Sequence, residues 1–300
     1  MSLAERPQVD LRWSRDAEGR TFVSHRFVSY PFAFTKPFHL DDEPKGMLTV
    51  IMQSTSGGVF ANERLGLSLT VEPKAEVHFT TQSATVVHAM KRGEDAHQEI
   101  TLSAAKDTFV EYMPETVILF PGAQFFQHLN VVVDPSATVM FCESFLNHDP
   151  QREREHFALL DSEITVTRPY GEVVCRDRLR TSGRVLTEAV AGIAESYLSH
   201  GLFAVVRPAD EEENTRLQDF IADRLDSIPN LYAGVSTLPA DAGVCVRLAA
   251  IDGNVFGIGL MTTWALVREY LTGVTPPSRR KQRQDSAEWR VRPRAEPLSP

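Results

Sequence analysis

From Phe22 to about residue 174 the chain alternates short apolar runs with polar turn signals, and the spacing inside the runs is that of strands. The clearest is Leu65-Gly-Leu-Ser-Leu-Thr-Val71, where Leu65, Leu67, Leu69 and Val71 share one face. Residues 77–81, 109–113, 117–120, 129–133 and 138–141 predict further strands. No long helical run separates them, so this portion reads as all-β.

Within it lies a repeat. Val71-Glu-Pro-Lys-Ala-Glu-Val-His-Phe79 matches Val133-Asp-Pro-Ser-Ala-Thr-Val-Met-Phe141 nearly position for position, and Leu102-Ser-Ala-Ala-Lys-Asp-Thr-Phe-Val110 is a weaker copy between them. The copies stand 31 residues apart, and each holds a strand end, a polar turn and a second strand. Acidic-Pro-x-Ala is also common turn chemistry. Three equally spaced copies, however, predict units stacked on each other's apolar faces, a layered or β-helix-like set of sheets.

Beyond about Glu172 the pattern changes. Residues 184–206 are ambiguous, helical by propensity but interrupted by Gly192 and Gly201. Asp210-Glu-Glu-Glu opens a helix that carries Leu217, Phe220, Ile221 and Leu225 at helical spacing, with its acids at the positive end of the dipole. Residues 244–250 form a strand. Residues 254–271 form a second helix, ended by Gly273 and barred from continuing by Pro276 and Pro277. The expectation is a mainly β protein with about two helices in its C-terminal third. Residues 1–20 are expected to be frayed, 21–274 to form one β-rich domain, and 275–300 to be a Pro- and Arg-rich tail, disordered in isolation.

Composition narrows the function classes. With 300 residues and a formal charge of -9, the chain is long enough for a sizeable core and too acidic for a general nucleic-acid binder. Seven basic residues between Arg279 and Arg294 leave the body more acidic still. The three cysteines, Cys142, Cys175 and Cys245, offer neither a disulfide framework nor zinc spacing. The first ten residues lack the apolar core of a signal peptide, and the stretch 255–267 is too short to span a bilayer. A cytoplasmic protein with no membrane partner is expected.

No pair of histidines has the spacing that would place two rings on one helix or strand face, so no stable metal site is expected; His78, His88 and His97 read as surface or turn residues. The Ser56-Gly57-Gly58 stretch lacks the lysine and the following helix of a phosphate loop. It reads instead as a close approach between strands. Carboxylates remain: Glu111, Glu115 and Glu143 lie in or beside apolar strands, and simple alternation turns Glu111 toward solvent. If such acids face an interior passage they could hand a divalent ion along by weak contacts. They could equally be a glycosidase pair in a β-helix enzyme, or surface acids of a non-catalytic β-rich binding module.

Three stretches together resemble one family. Gly57-Gly58-Val-Phe-Ala-Asn-Glu63-Arg-Leu65, Thr80-Thr81-Gln82-Ser-Ala84-Thr85 and Glu111-Tyr112-Met-Pro114-Glu115-Thr-Val-Ile118-Leu-Phe120 are similar in order and spacing to the motifs of the UreD (UreH) urease accessory family. A further match, Trp264, Arg268 and Leu271, resembles that family's closing helix. The resemblance implies a layered β fold and a non-enzymatic role in urease maturation. It implies partners too: UreF-like proteins, UreG-like GTPases and the urease apoprotein. Nickel is then cargo in transit, not a stably bound cofactor, with Glu63, Glu111, Glu115 and Glu143 as transit candidates and Trp264 and Arg268 as partner-binding candidates. Gly57, Gly58, Thr80, Thr81, Gln82 and Pro114 carry the motif's structure. Four departures stand out: the family's Gly-Asp is Asn62-Glu63, the Gln between Pro114 and Glu115 is missing, the stretch between Phe145 and Phe157 lacks the family's Gly-Arg and Gly-Glu elements, and an Arg-rich tail replaces a shorter, more apolar ending. They leave room for a divergent second copy with its own partner choice.

Overall fold

The computed structural model describes residues 6–151, 155–188 and 194–277. The chain begins with β1 (Val9–Arg15), β2 (Thr21–Val28), β3 (Phe32–Phe34), β4 (Leu48–Ser54), β5 (Arg64–Val71) and β6 (Glu76–Thr81). It continues through β7 (Thr85–Val87), β8 (Ala96–Ala104), β9 (Phe109–Met113), β10 (Val117–Leu119), β11 (Gln124–Val133) and β12 (Thr138–Asn147). A hairpin of β13 (Leu159–Thr167) and β14 (Val173–Thr181) leads to a short helix α1 (Gly183–Thr187) and β15 (Ser199–Val206). Helix α2 (Glu211–Leu225), β16 (Leu231–Thr237), β17 (Gly243–Ala250) and helix α3 (Gly253–Thr272) complete it.

The strands form a seven-stranded sheet, β14-β13-β11-β8-β5-β1-β2, and a ten-stranded sheet that includes the path β16-β17-β15-β12-β9-β6-β4-β3. Successive coils supply β5, β8 and β11 to the first, and β4, β6, β9 and β12 to the second, each run in parallel register. The short strands β7 and β10 pair in parallel on a third side. This is the expected stacking of layered, solenoid-like sheets. The middle repeat copy sits two residues from where the sequence match put it. Val71 pairs with Ala104 and Ala104 with Val133, steps of 33 and 29 residues. A slip of two keeps every side chain on its face, which is why the shifted match still carried the right alternation. In the true register Phe79, Tyr112 and Phe141 are neighbours, with the rings of Phe79 and Tyr112 stacked at 5.6 Å.

Residues 9–20, expected to be part of a frayed end, are ordered instead. Residues 1–5 lie outside the described residues, but β1 pairs in parallel with β5 and antiparallel with β2, and Val9, Leu11 and Trp13 are fully buried between the sheets. Alternate apolar residues at 9, 11 and 13 were the available signal, and their burial outweighs the cost of ordering a terminus. The tail from residue 278 onward lies outside the described residues.

The ten-stranded sheet is covered on both faces, by the other sheet on one and by α2 and α3 on the other. Asp210 caps α2 through a capping box with Glu213, and α3 ends at Gly273 in the left-handed conformation, as the sequence predicts. Under α3 lies a buried polar cluster. The Arg268 guanidinium donates to Glu111 Oε1 at 2.7 Å, to Asp41 Oδ1 at 2.8 Å and to the Glu43 carbonyl at 3.0 Å. His78 Nδ1 meets Glu111 Oε2 at 2.5 Å, and the Trp264 ring lies 5.5 Å from the His78 ring. Burial alone would raise the Glu111 pKa, but the His78 hydrogen bond and the nearby Arg268 charge outweigh it and hold the carboxyl below its ordinary range.

Three expectations are corrected here. Alternation rightly turned Glu111 away from Val110 and Tyr112, but that face is roofed by α3, not by water, so Glu111 is fully buried. His78 is buried beside it rather than at a surface or turn. Trp264 and Arg268, expected to bind a partner, are likewise interior residues that fasten α3 to the sheet and are buried in this conformation.

Two measurements check this frame. Trp13→Ala should cost about 3–5 kcal/mol in chemical denaturation, since it empties a core position; a near-neutral result would restore the frayed terminus. Arg268→Met takes the buried cation away from two buried carboxylates and should cost about 3–5 kcal/mol, with part of the loss recovered when Glu111→Leu is added.

Candidate functional site

Coils stacked in register must also stack their corners. Strand β6 ends at Thr81 and β7 starts at Thr85; β9 ends at Met113 and β10 starts at Val117. Strand β12 does not break, but it leaves β9 after Phe141 and joins β10 at Phe145. The three bends, at residues 82–84, 114–116 and 142–144, therefore lie one above another. Side chains tie them together. Glu115 N–H donates to Thr81 Oγ1 at 2.9 Å, and Ser144 Oγ donates to Thr116 Oγ1 at 3.0 Å. The Cys142 thiol, its pKa raised beyond the ordinary range by burial, points at the Pro114 carbonyl, 3.7 Å away.

The preceding coil bends at Gly57-Gly58. Gly58 has φ +142°, and a Cβ there would lie 2.3 Å from the Val86 carbonyl oxygen, which accepts from Val59 N–H. This is the close approach that the sequence predicts, and Gly58 is the residue that requires it; at Gly57 nothing lies within 4 Å. Gln82 N–H closes the same corner on the Met52 carbonyl at 2.9 Å. Thr80 lies in β6 beside Met113, with its hydroxyl 3.4 Å from the Thr81 carbonyl. Glu63 is drawn into its own turn, where Oε2 accepts from Phe60 N–H at 3.0 Å. It takes part in the site only through that loop.

Inside the stacked corner lies a cavity of about 180 Å³, whose wall includes Gly58, Thr81, Gln82, Pro114, Glu115 and Glu143. All three N-terminal motif stretches reach it. Beyond it, between the β13–β14 hairpin and strands β15 and β17, is a larger cavity of about 480 Å³ bordered by Asp177, Leu179, His200, Tyr232 and Arg247. The two share Val117, Gln127, Glu143 and Ser144, so Glu143 stands between them. Its side chain, on the same face of β12 as Val139 and Phe141, reaches across to the other sheet. Gln127 Nε2 donates to Oε1 at 2.8 Å and Ser162 Oγ donates to Oε2 at 2.6 Å. Burial pushes the Glu143 pKa up to about 7 against the pull of these two donors, with the Asp177 charge adding to the rise.

The four carboxylates thus separate. Glu115 and Glu143 border the cavities, Glu63 braces a turn, and Glu111 is locked in the ion cluster on the opposite face of the sheet, which takes it out of any glycosidase pair. Gln127 and Ser162 are partners that sequence reasoning missed. They lie far from Glu143 along the chain and belong to no motif, so no local signal marks them. Among the described residues no group of three or more His, Cys, Asp or Glu side chains is placed to hold a metal ion. Among the same residues no helix is long and apolar enough to cross a membrane.

The raised Glu143 pKa sets a pH dependence. Between pH 4.5, the ordinary value, and about 7 the folded chain keeps a proton that the unfolded chain releases. Stability therefore falls as pH rises through that window. Glu143→Gln should flatten this part of the profile in thermal melts, and an unchanged slope would contradict the assignment.

Comparison with known proteins agrees with the motifs. The family model described as UreD urease accessory protein matches residues 5–283. The chain is 34% identical to urease accessory protein UreD 1 of Pseudomonas syringae pv. tomato over 94% of its own length and 98% of that protein. It is 33% identical to UreD 1 of Methylorubrum populi, covering 93% of each chain, and 33% identical to UreD 2 of a Bradyrhizobium species, covering 89% and 91%. These relatives are named as accessory proteins, not as catalysts. With motifs gathered at one corner and matches of this extent, the chain belongs to the UreD family of urease accessory proteins.

Proposed function

We propose that this chain is a non-enzymatic maturation factor that works in the cytoplasm with UreF-like and UreG-like proteins on the urease apoprotein, and that nickel crosses its interior as cargo. What supports the route is the position of Glu143 between two cavities, one of them walled by the family motifs. Movement of that one carboxyl away from Gln127 and Ser162 would join the two spaces. Glu115 and Glu143 would meet the ion one at a time and release it readily, as carboxylate oxygens do with borderline divalent metals when no full ligand set surrounds them. Fixed sites hold metals tightly; a conduit must not.

The reading is tested in cells that carry no other UreD copy. The double variant Glu115→Ala, Glu143→Ala should lower urease nickel content and activity toward the level of the deletion strain. Copurification with UreF-like and UreG-like proteins should be unchanged. Full nickel loading in the double variant would remove the route through these carboxylates, and full loading in the deletion strain would remove the maturation role itself.

A further inference from the structure

Strand β14 ends the seven-stranded sheet. It pairs with β13 along one edge, and among the described residues no strand pairs with the other. At nine residues, with no proline, it is a long open edge of the kind that proteins usually shorten, bend or cover. The short 3-10 turn Pro239–Asp241 packs against the strand without pairing with it.

The two faces of this edge differ. Arg176, Arg178 and Arg180 project outward, with side chains 61%, 51% and 60% exposed. They share two carboxylates of β13: Arg176 pairs with Glu163 at 2.5 Å, and Arg178 and Arg180 both pair with Asp161, at 2.8 and 3.4 Å. The stripe keeps a positive excess on a chain whose formal charge is -9. Arg178 grips the buried Asp161 through two hydrogen bonds, whereas the longer contact of Arg180 at 3.4 Å is a loose one that exchanges readily for another carboxylate. The inward residues Asp177, Leu179 and Thr181 border the larger cavity, and Asp177 meets Arg247 across its mouth. Exposed apolar side chains flank the edge, with Tyr170 and Val173 on the hairpin and Tyr232 at the cavity rim.

We propose that β14 is a docking edge for an extended, acidic segment of a partner protein, which adds as an eighth strand. Its carboxylates lie beside Arg176, Arg178 and Arg180, and its alternate apolar residues close over the cavity mouth beside Leu179 and Tyr232. Backbone pairing supplies affinity, and the alternation of acid and apolar residues supplies register. A second copy of this chain is the wrong occupant. Symmetric antiparallel pairing of two β14 strands would set arginine against arginine, and like charges directly opposite are destabilising. The chain's own basic C-terminal sequence is excluded on the same ground.

The test uses the full chain and a fluorescent eight-residue peptide of alternating Glu and Val. Anisotropy should report binding that weakens with added salt, and hydrogen exchange should show protection concentrated at residues 176–181. A peptide with Lys in place of Glu should not bind, and neither should one N-methylated along its pairing edge. Arg176→Glu with Arg180→Glu should weaken the acidic peptide by about tenfold or more and admit the Lys peptide. Arg176→Glu alone, at the most exposed of the three, should give a smaller shift of the same sign and guards against misfolding of the double variant. Equal binding of the Lys or N-methylated peptide overturns the proposal, as does protection elsewhere or no binding at all. A dimer of the parent chain that the reversals abolish would overturn it in favour of a second copy.

Discussion

Parallel stacking of successive coils is the constraint from which the rest of this molecule follows. Each coil must return to both sheets at the same height, so the bends between strands are forced into columns. One column, at residues 82–84, 114–116 and 142–144, is joined by hydrogen bonds that Glu115 N–H donates to Thr81 and Ser144 Oγ donates to Thr116. Residues far apart in sequence thereby become the wall of one cavity. Functional groups at such a corner are held by rigid strands on either side, while the bend itself leaves space that a continuous ladder would fill.

The ten-stranded sheet explains how one chain separates two uses of carboxylate. Odd-numbered residues of β12 face the other sheet, which sends Glu143 into the space between the sheets. In β9 it is Glu111 that takes the opposite face, under α3. Glu111 is matched there by a guanidinium and an imidazole and held ionised. Glu143 has only neutral donors and is pushed toward holding its proton. Two acids on neighbouring strands thus become a structural anchor and a titratable wall residue through their surroundings alone.

The same architecture leaves its ends unlike its middle. Interior strands of the parallel stack are paired on both edges, whereas among the described residues β14 closes one sheet with no strand on its outer edge, beside the larger cavity. The inter-sheet contacts there are polar, Glu143 with Gln127 and Ser162 and Asp177 with Arg247. That end holds the larger cavity, with Tyr232 exposed at its rim.

The period-2 runs, the repeated turn chemistry and the capped acidic helix were legible without coordinates, because they are local consequences of backbone geometry and side-chain alternation. Gly58 was legible for the same reason: only glycine suits that close approach. The motif stretches identified the family, and the carboxylates that line the cavities, Glu115 and Glu143, were among those that stood in or beside apolar strands. Tertiary structure decided what lay beyond each strand's own neighbours. Alternation sets which way Glu111 points, but only the packing of α3 makes that direction interior. A two-residue slip in the middle repeat preserves its pattern, so register needed the ladders themselves. Gln127 and Ser162 carry no motif, and nothing but the meeting of the two sheets brings them to Glu143.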